Sequence, residues 1–233
     1  MDVIETALRE GRTVLSEHES KEVLRAYGIP VTREREVHDE REFREALAEI
    51  GFPLVIKACG PKVSHKTERG LVHVDIRTQQ EAMAAFKDLM SEVEGDSVSV
   101  LVQEKIKGSR ELMAGLTRDA QFGPCVMFGL GGIFTEILRD IAFRVAPIEK
   151  SEALDMMGEI KARKILEAFR GMPAADIDQL GDILIKVGTI GLDHAIIKEI
   201  DINPIILSGS RPVAVDALIV LNPQGTGSFT SIV

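Results

Sequence analysis

Lys57 closes a short apolar run, Leu54-Val-Ile56, and a basic loop follows it with Lys62, His65, Lys66 and Arg69. A cation on a rigid strand facing a basic loop suits a polyphosphate. A histidine among those cations can itself accept a phosphoryl group. Far along the chain, Glu199-Ile-Asp-Ile-Asn-Pro204 puts Glu199, Asp201 and Asn203 on one strand face, since strand side chains alternate with period two. The returning run Ala214-Val-Asp-Ala-Leu218 adds Asp216 amid apolar residues, where a lone acid costs free energy unless it is paired or binds a metal. Oxygen donors from Asp and Asn on adjacent strands suit Mg²⁺ bridging nucleotide phosphates. The same residues also read as a solvent face ending in an Asn-Pro turn.

Two further groups have chemical potential. Phe128-Gly-Leu-Gly-Gly-Ile-Phe134 is a glycine-rich block whose Gly129, Gly131 and Gly132 do not fit the dinucleotide pattern, and no helical period follows it. Such glycines either let backbone amides approach an anion or make a tight bend between strands. Glu136 and Arg144 are expected to face the same cleft, with a surface charge the alternative for Arg144. Gln103-Glu104 at a strand end and Glu111 opening the next strand offer partners for a purine amino group and a ribose hydroxyl, or are solvated loop residues. Gly60-Pro-Lys-Val-Ser-His-Lys-Thr67 imitates a P-loop but is one residue short, has His65 in place of the second glycine, and runs on into a β-alternating strand rather than a helix. His18, His38, His73 and His194 read as structural, and no Ser–His–Asp or Cys–His arrangement emerges.

The elements that must position these groups are legible from period and punctuation. Residues 2–10 predict a short helix. Ser16-Glu-His-Glu19 reads as a capping box for a second helix ending at Gly28, and Asp39-Glu-Arg-Glu42 opens a third that stops at Gly51. Leu54–Lys57 and Val72–Ile76 are strands around the basic loop. Thr78-Gln-Gln-Glu81 opens a helix burying Met83, Phe86, Leu89 and Met90. Glu94-Gly-Asp96 reads as a boundary between domains of residues 1–95 and 96–233. Beyond it come strands at Val98–Val102, Glu111–Thr117, Pro124–Gly129, Thr135–Leu138 and Ala142–Ile148, and their short turns imply an antiparallel sheet. Helices at 151–170 and 176–190 and strands at Ala195–Asp201 and Pro212–Val220 complete an α/β (α+β) chain with a loose Gly/Ser/Thr-rich tail.

Composition narrows the function. With 28 Lys and Arg against 37 Asp and Glu, the net charge of −9 disfavours nucleic-acid binding, which phosphate neutralisation drives. Cys59 and Cys125 sit in apolar runs without disulfide or metal spacing, so Cys59 reads as a buried spectator and a reducing cytoplasm is expected. No signal peptide and no apolar run of membrane-spanning length are found, which predicts a soluble protein.

Together these blocks resemble an ATP-grasp domain. More narrowly, Phe122-Gly-Pro…Val-Met-Phe-Gly-Leu-Gly-Gly132 and Phe143-Arg-Val-Ala-Pro-Ile148 resemble the nucleotide-binding β subunit of the ADP-forming acyl-CoA (acetyl-CoA) synthetases, relatives of succinyl-CoA synthetase, over nearly all of the chain. The resemblance implies two α/β subdomains clamping a nucleotide. Lys57 would bind ATP or ADP phosphates, the Gln103–Ile106 connector (Gln103, Glu104, Ile106) would hold adenine, Glu111 the ribose, and Gly131 and Gly132 the phosphate region. Asn203 and Asp216 would hold Mg²⁺ with Asp201 as helper, and His65 would be the loop phosphohistidine. It also implies a larger CoA-binding α subunit in an α2β2 heterotetramer, and acyl-CoA + ADP + phosphate ⇌ acid + CoA + ATP. The missing CoA-binding domain fits a separately encoded subunit. A stand-alone ATP-grasp carboxylate ligase and a non-catalytic nucleotide-sensing subunit are the alternatives.

Overall fold

The computed structural model describes residues 3–60, 70–92, 99–132 and 140–223. The basic loop with Lys62, His65, Lys66 and Arg69, the expected strand Thr135–Leu138 with Glu136, and the C-terminal tail lie outside the described residues. The chain forms two compact units, one of Ser16–His18 with Val31–Ile106, the other of the remaining chain. The division therefore falls elsewhere than at residue 95. The reason is pairing: the strand after Gly95 hydrogen-bonds with strands that precede it.

In the smaller unit, β1 (Glu34–Val37), β2 (Leu54–Cys59), β3 (Val72–Ile76) and β4 (Ser99–Glu104) form a sheet in the order β1-β4-β2-β3, antiparallel throughout. Helices α3 (Glu40–Ile50) and α4 (Gln79–Glu92) supply its core. Two of the three expected caps are seen: Asp39 accepts from Glu42 N at 2.8 Å, and Thr78 Oγ1 accepts from Glu81 N at 3.2 Å. Gly51 at φ 76 ends α3. Phe43 and Phe86 stack at 4.4 Å between centroids, over Leu54, Ile56, Val100 and Val102. Met90, expected inside, is exposed, while Ala82 and Ala85 share the buried stripe with Phe86 and Leu89. The helical face is centred one residue earlier than the methionines suggested.

In the larger unit, β5 (Glu111–Asp119), β6 (Gly123–Leu130), β7 (Ile141–Val145), β8 (Ile197–Ser208), β9 (Arg211–Ala214) and β10 (Ala217–Leu221) form one sheet in the order β10-β8-β5-β6-β7, with β9 also on β8. Every pairing is antiparallel. Helices α5 (Lys150–Glu159) and α6 (Ile177–Asp193) pack on this unit's sheet, and α6 buries Leu180, Ile183, Leu184, Val187 and Ile190. At Gly191 an added Cβ would lie 2.3 Å from Leu116 Cδ1, so a side chain there would require Leu116 to move. Helices α1 (Val3–Arg9) and α2 (Glu17–Ala26) complete the described elements.

Two expected elements divide. The helix predicted over 151–170 stops at Glu159, because the buried Asp140 carboxylate accepts from Lys161 N (2.7 Å) and Ala162 N (2.8 Å), and a 3₁₀ turn, Arg163–Leu166, follows. Pro212–Val220 is two strands, not one. Val215 N donates to Pro204 O at 3.0 Å, which leaves Asp216 at the junction between β9 and β10. Among the described residues no helix is long and apolar enough to cross a membrane.

Candidate functional site

Lys57 lies inside β2, which runs two residues beyond the strand end expected for it, and every residue of that strand is buried. Its row across the sheet is Glu36, Leu101, Lys57, Val72, on the face opposite the Leu54, Ile56 and Ala58 core. An ammonium cannot stay charged in such a place without an anion. Glu17, in the first turn of α2, supplies one: Nζ to Oε1 is 2.7 Å, with both side chains under 10% exposed. The neighbouring His18 ring contacts Glu34 at 3.1 Å, and Thr32 Oγ1 donates to the other oxygen of that fully buried carboxylate at 3.1 Å. Three consecutive residues, Ser16–His18, are thus moored to two strands by two carboxylate contacts.

The connector is held just as firmly. Gln103 is fully buried within β4, opposite Glu34 and Val55. The Glu104 carboxylate accepts from Arg33 N (2.8 Å) and Arg33 Nε (3.0 Å). Lys105 pairs with Asp75 at 2.8 Å. Asp75 stands at φ 61 where the β2–β3 register slips, and Arg77 and then Lys105 hold its carboxyl down at about 2. Ile106 is half-buried at the end of this unit.

In the larger unit, three distant blocks meet. Gly131 N donates to Glu111 O at 2.9 Å, and Gly132 N donates to Asn203 Oδ1 at 2.8 Å. A Cβ on Gly131 would fall 2.4 Å from Leu112 O, and one on Gly132, at φ 63, would fall 1.9 Å from Glu111 Oε2. The glycines are needed for close approach, but both amides donate to oxygens of the chain itself. These two bonds tie Glu111 and Asn203 to the glycine block.

Glu199, Asp201 and Asn203 share a face of β8, alternating with the fully buried Ile200 and Ile202. Asp216 follows two residues before Leu218, which lies opposite Asp201. Burial, then Glu199, then Asp216 push the Asp201 carboxyl up to about 6. Among the described residues no three His, Cys, Asp or Glu side chains converge as a ready metal site. The expected set differs in kind, having two carboxylates and an amide oxygen. Hard oxygen donors among like-charged carboxylates fit a hard divalent cation.

Sequence reasoning missed Glu17, Arg33, Asp75 and Arg110. Glu17 was hidden inside a capping pattern, yet a buried lysine on a central strand demands an acid somewhere. Arg110 is buried and donates to the carbonyls of Ile165, Glu167, Pro173 and Gly209 at 2.8 to 3.3 Å, which ties the approach to Glu111 to two loops. Arg144 pairs with Glu159.

The profile of a family described as an ATP-grasp domain matches residues 6–221. The β subunit of acetate–CoA ligase (ADP-forming) I from Pyrococcus furiosus is 44% identical, over 94% of this chain and 97% of that one. The single-chain acetate–CoA ligase (ADP-forming) I of Archaeoglobus fulgidus is 39% identical over 96% of this chain, which spans 33% of its length. Among solved structures, acetyl-coenzyme A synthetase 1 of Ca. Korarchaeum cryptofilum superposes with a TM-score of 0.85 at 42% identity, over 95% of this chain and 99% of that one. It contains coenzyme A and Mg-AMPPCP, with a phosphohistidine segment pointing towards the nucleotide binding site.

Proposed function

Because the chain belongs to the ATP-grasp family, and within it to the β subunits of ADP-forming acetate–CoA ligases, we propose that it moves phosphate between a phosphohistidine and ADP. The overall reaction is acyl-CoA + ADP + phosphate ⇌ acid + CoA + ATP, run with a CoA-binding α subunit in the cytoplasm, as an α2β2 heterotetramer. His65 receives the phosphoryl group from the partner on a neutral ring nitrogen and passes it to the terminal phosphate oxygen of ADP. The adjacent Lys62 and Lys66 favour that neutral form.

The smaller unit supplies Lys57 for the nucleotide phosphates, and Gln103, Glu104 and Ile106 for the base. With the Glu104 carboxylate occupied by Arg33, adenine is read chiefly by connector backbone. The larger unit supplies Glu111 for the ribose, with Gly131 and Gly132 fixing its position beside Asn203. Asn203, Asp216 and Asp201 would hold Mg²⁺, which when bound neutralises phosphate charge. Phosphoryl transfer asks a protein mainly for positioning and charge, and these residues provide both.

The observation that carries this reading is the junction of Glu111, the Gly131-Gly132 pair and Asn203, blocks separated by up to 92 positions and joined by hydrogen bonds of 2.9 Å from Gly131 N to Glu111 O and 2.8 Å from Gly132 N to Asn203 Oδ1, beside the acid cluster. It is tested by reconstituting the subunit with its CoA-binding partner and following CoA- and acetate-dependent release of ADP from ATP. Asp216→Ala is expected to lower Mg²⁺-dependent turnover about 100-fold, on the scale of one lost electrostatic anchor. An unchanged Mg²⁺ dependence removes Asp216 from the site.

A further inference from the structure

We infer that Glu17 is a positioning residue for the nucleotide reaction: its buried carboxylate fixes the Lys57 ammonium as the phosphate-binding cation. The inference rests on the reading of Lys57 as the phosphate ligand and adds a residue to that site. The contact is short, 2.7 Å, and both side chains are almost fully buried. Glu17 is itself immobilised, because the next residue, His18, is moored to Glu34, whose second oxygen is held by Thr32. The carboxylate is therefore preset by its backbone and does not follow the lysine.

Charge decides what this arrangement does. An ammonium enclosed by Leu101 and Val72 across the sheet, without an anion, sheds its proton, since burial lowers a lysine pKa by several pH units. A neutral amine binds phosphate poorly. The pair with Glu17 keeps the proton on, at the cost of net neutrality, and fixes where Nζ lies. The described titratable groups around Lys57 in this unit are Glu17 and His18 from the first turn of α2, Glu34 and Glu36 from β1, and Cys59 from β2. Glu34 is engaged by His18 and Thr32, and Glu36 accepts from Ser99 Oγ. Glu17 is the carboxylate seen in contact with Nζ.

The test uses the reconstituted complex, measuring MgADP affinity by calorimetry and the KM and kcat for MgADP from pH 6.5 to 9. Glu17→Gln keeps the shape and removes the charge. The expected result is a KM raised at least about tenfold at pH 7 and rising further towards pH 9, with kcat changed less, because the amine loses its proton as pH rises. Adding Lys57→Arg to that variant should flatten the slope, since a guanidinium stays charged. Wild-type affinity and pH profile in Glu17→Gln overturn the inference. Should that variant not fold, Glu17→Asp replaces it: the charge is kept on a shorter stem, so a raised KM without a pH slope is expected, and a wild-type KM overturns the inference. Lys57→Met separates the two readings. Unaltered MgADP affinity there removes Lys57 from the site altogether. Lost affinity there, with normal Glu17→Gln, retires only the role of Glu17.

Discussion

Two acids, one in each unit, Glu17 buried and Asp201 part-buried, meet opposite surroundings. Glu17 lies against an ammonium, and beside it His18 and Thr32 both contact the Glu34 carboxylate. Asp201 lies near Glu199 and Asp216, and its carboxyl is pushed up to about 6. The first region is finished when the chain folds. In the second, burial and two like-charged neighbours act together on one carboxyl, a setting that suits a divalent cation. A protein that needs a fixed cation and an exchangeable one has reason to build them differently.

The contrast gives variants opposite signs. Lys57→Met strands a buried carboxylate and should cost about 3–5 kcal/mol of stability, read as a lower denaturant midpoint. A loss below about 1 kcal/mol would mean the pair is wetter than its geometry indicates. Gly132→Ala should cost about 1–2 kcal/mol for a side chain at positive φ. It should also raise the KM for MgADP about tenfold by displacing Glu111, and an unchanged KM would detach Glu111 from the nucleotide.

Asp201→Asn should go the other way. The folded-state value of about 6 lies above the ordinary 3.8, so the folded protein binds the extra proton between those values. This group's contribution to stability therefore falls as pH rises from about 4 to 6 and stays low above it. Without divalent cations at pH 8, the variant should be more stable by about 1–2 kcal/mol, a discount from the full shift because Asp201 is only part-buried. It should also lose the stabilisation that Mg²⁺ gives the wild type. A destabilised variant would place Asp201 among compensated acids like Glu17. The smallest effect belongs to Arg33→Ala, under about 1 kcal/mol for a pair whose arginine is largely exposed.

Much of this was legible in the chain. Caps at Asp39 and Thr78, glycine stops at Gly28 and Gly51, and period-two runs located most helices and strands, because those signals act between near neighbours. The same alternation placed Glu199, Asp201 and Asn203 on one face. What escaped depends on residues far apart. Nothing local in Ser16-Glu-His-Glu19 says that Glu17 leaves the cap to meet Lys57, 40 positions on. Nothing near Gly132 names Asn203, 71 positions away. Asp140 ends α5 from across a loop, and the strand order that draws β4 into the smaller sheet cannot be read from a Glu-Gly-Asp turn. Met90 misled because an amphipathic stripe shifted by one residue looks almost as apolar as the true one.

The most direct test is whether phosphate rests on this chain at all. The subunit, with its CoA-binding partner, is incubated with γ-labelled ATP and Mg²⁺, and the label is located by peptide mapping. Acid-labile, base-stable label on the peptide containing His65, lost in His65→Asn together with CoA-ligase turnover while MgADP still binds, is the predicted result. Full turnover in His65→Asn, or label that never appears on that peptide, contradicts the account.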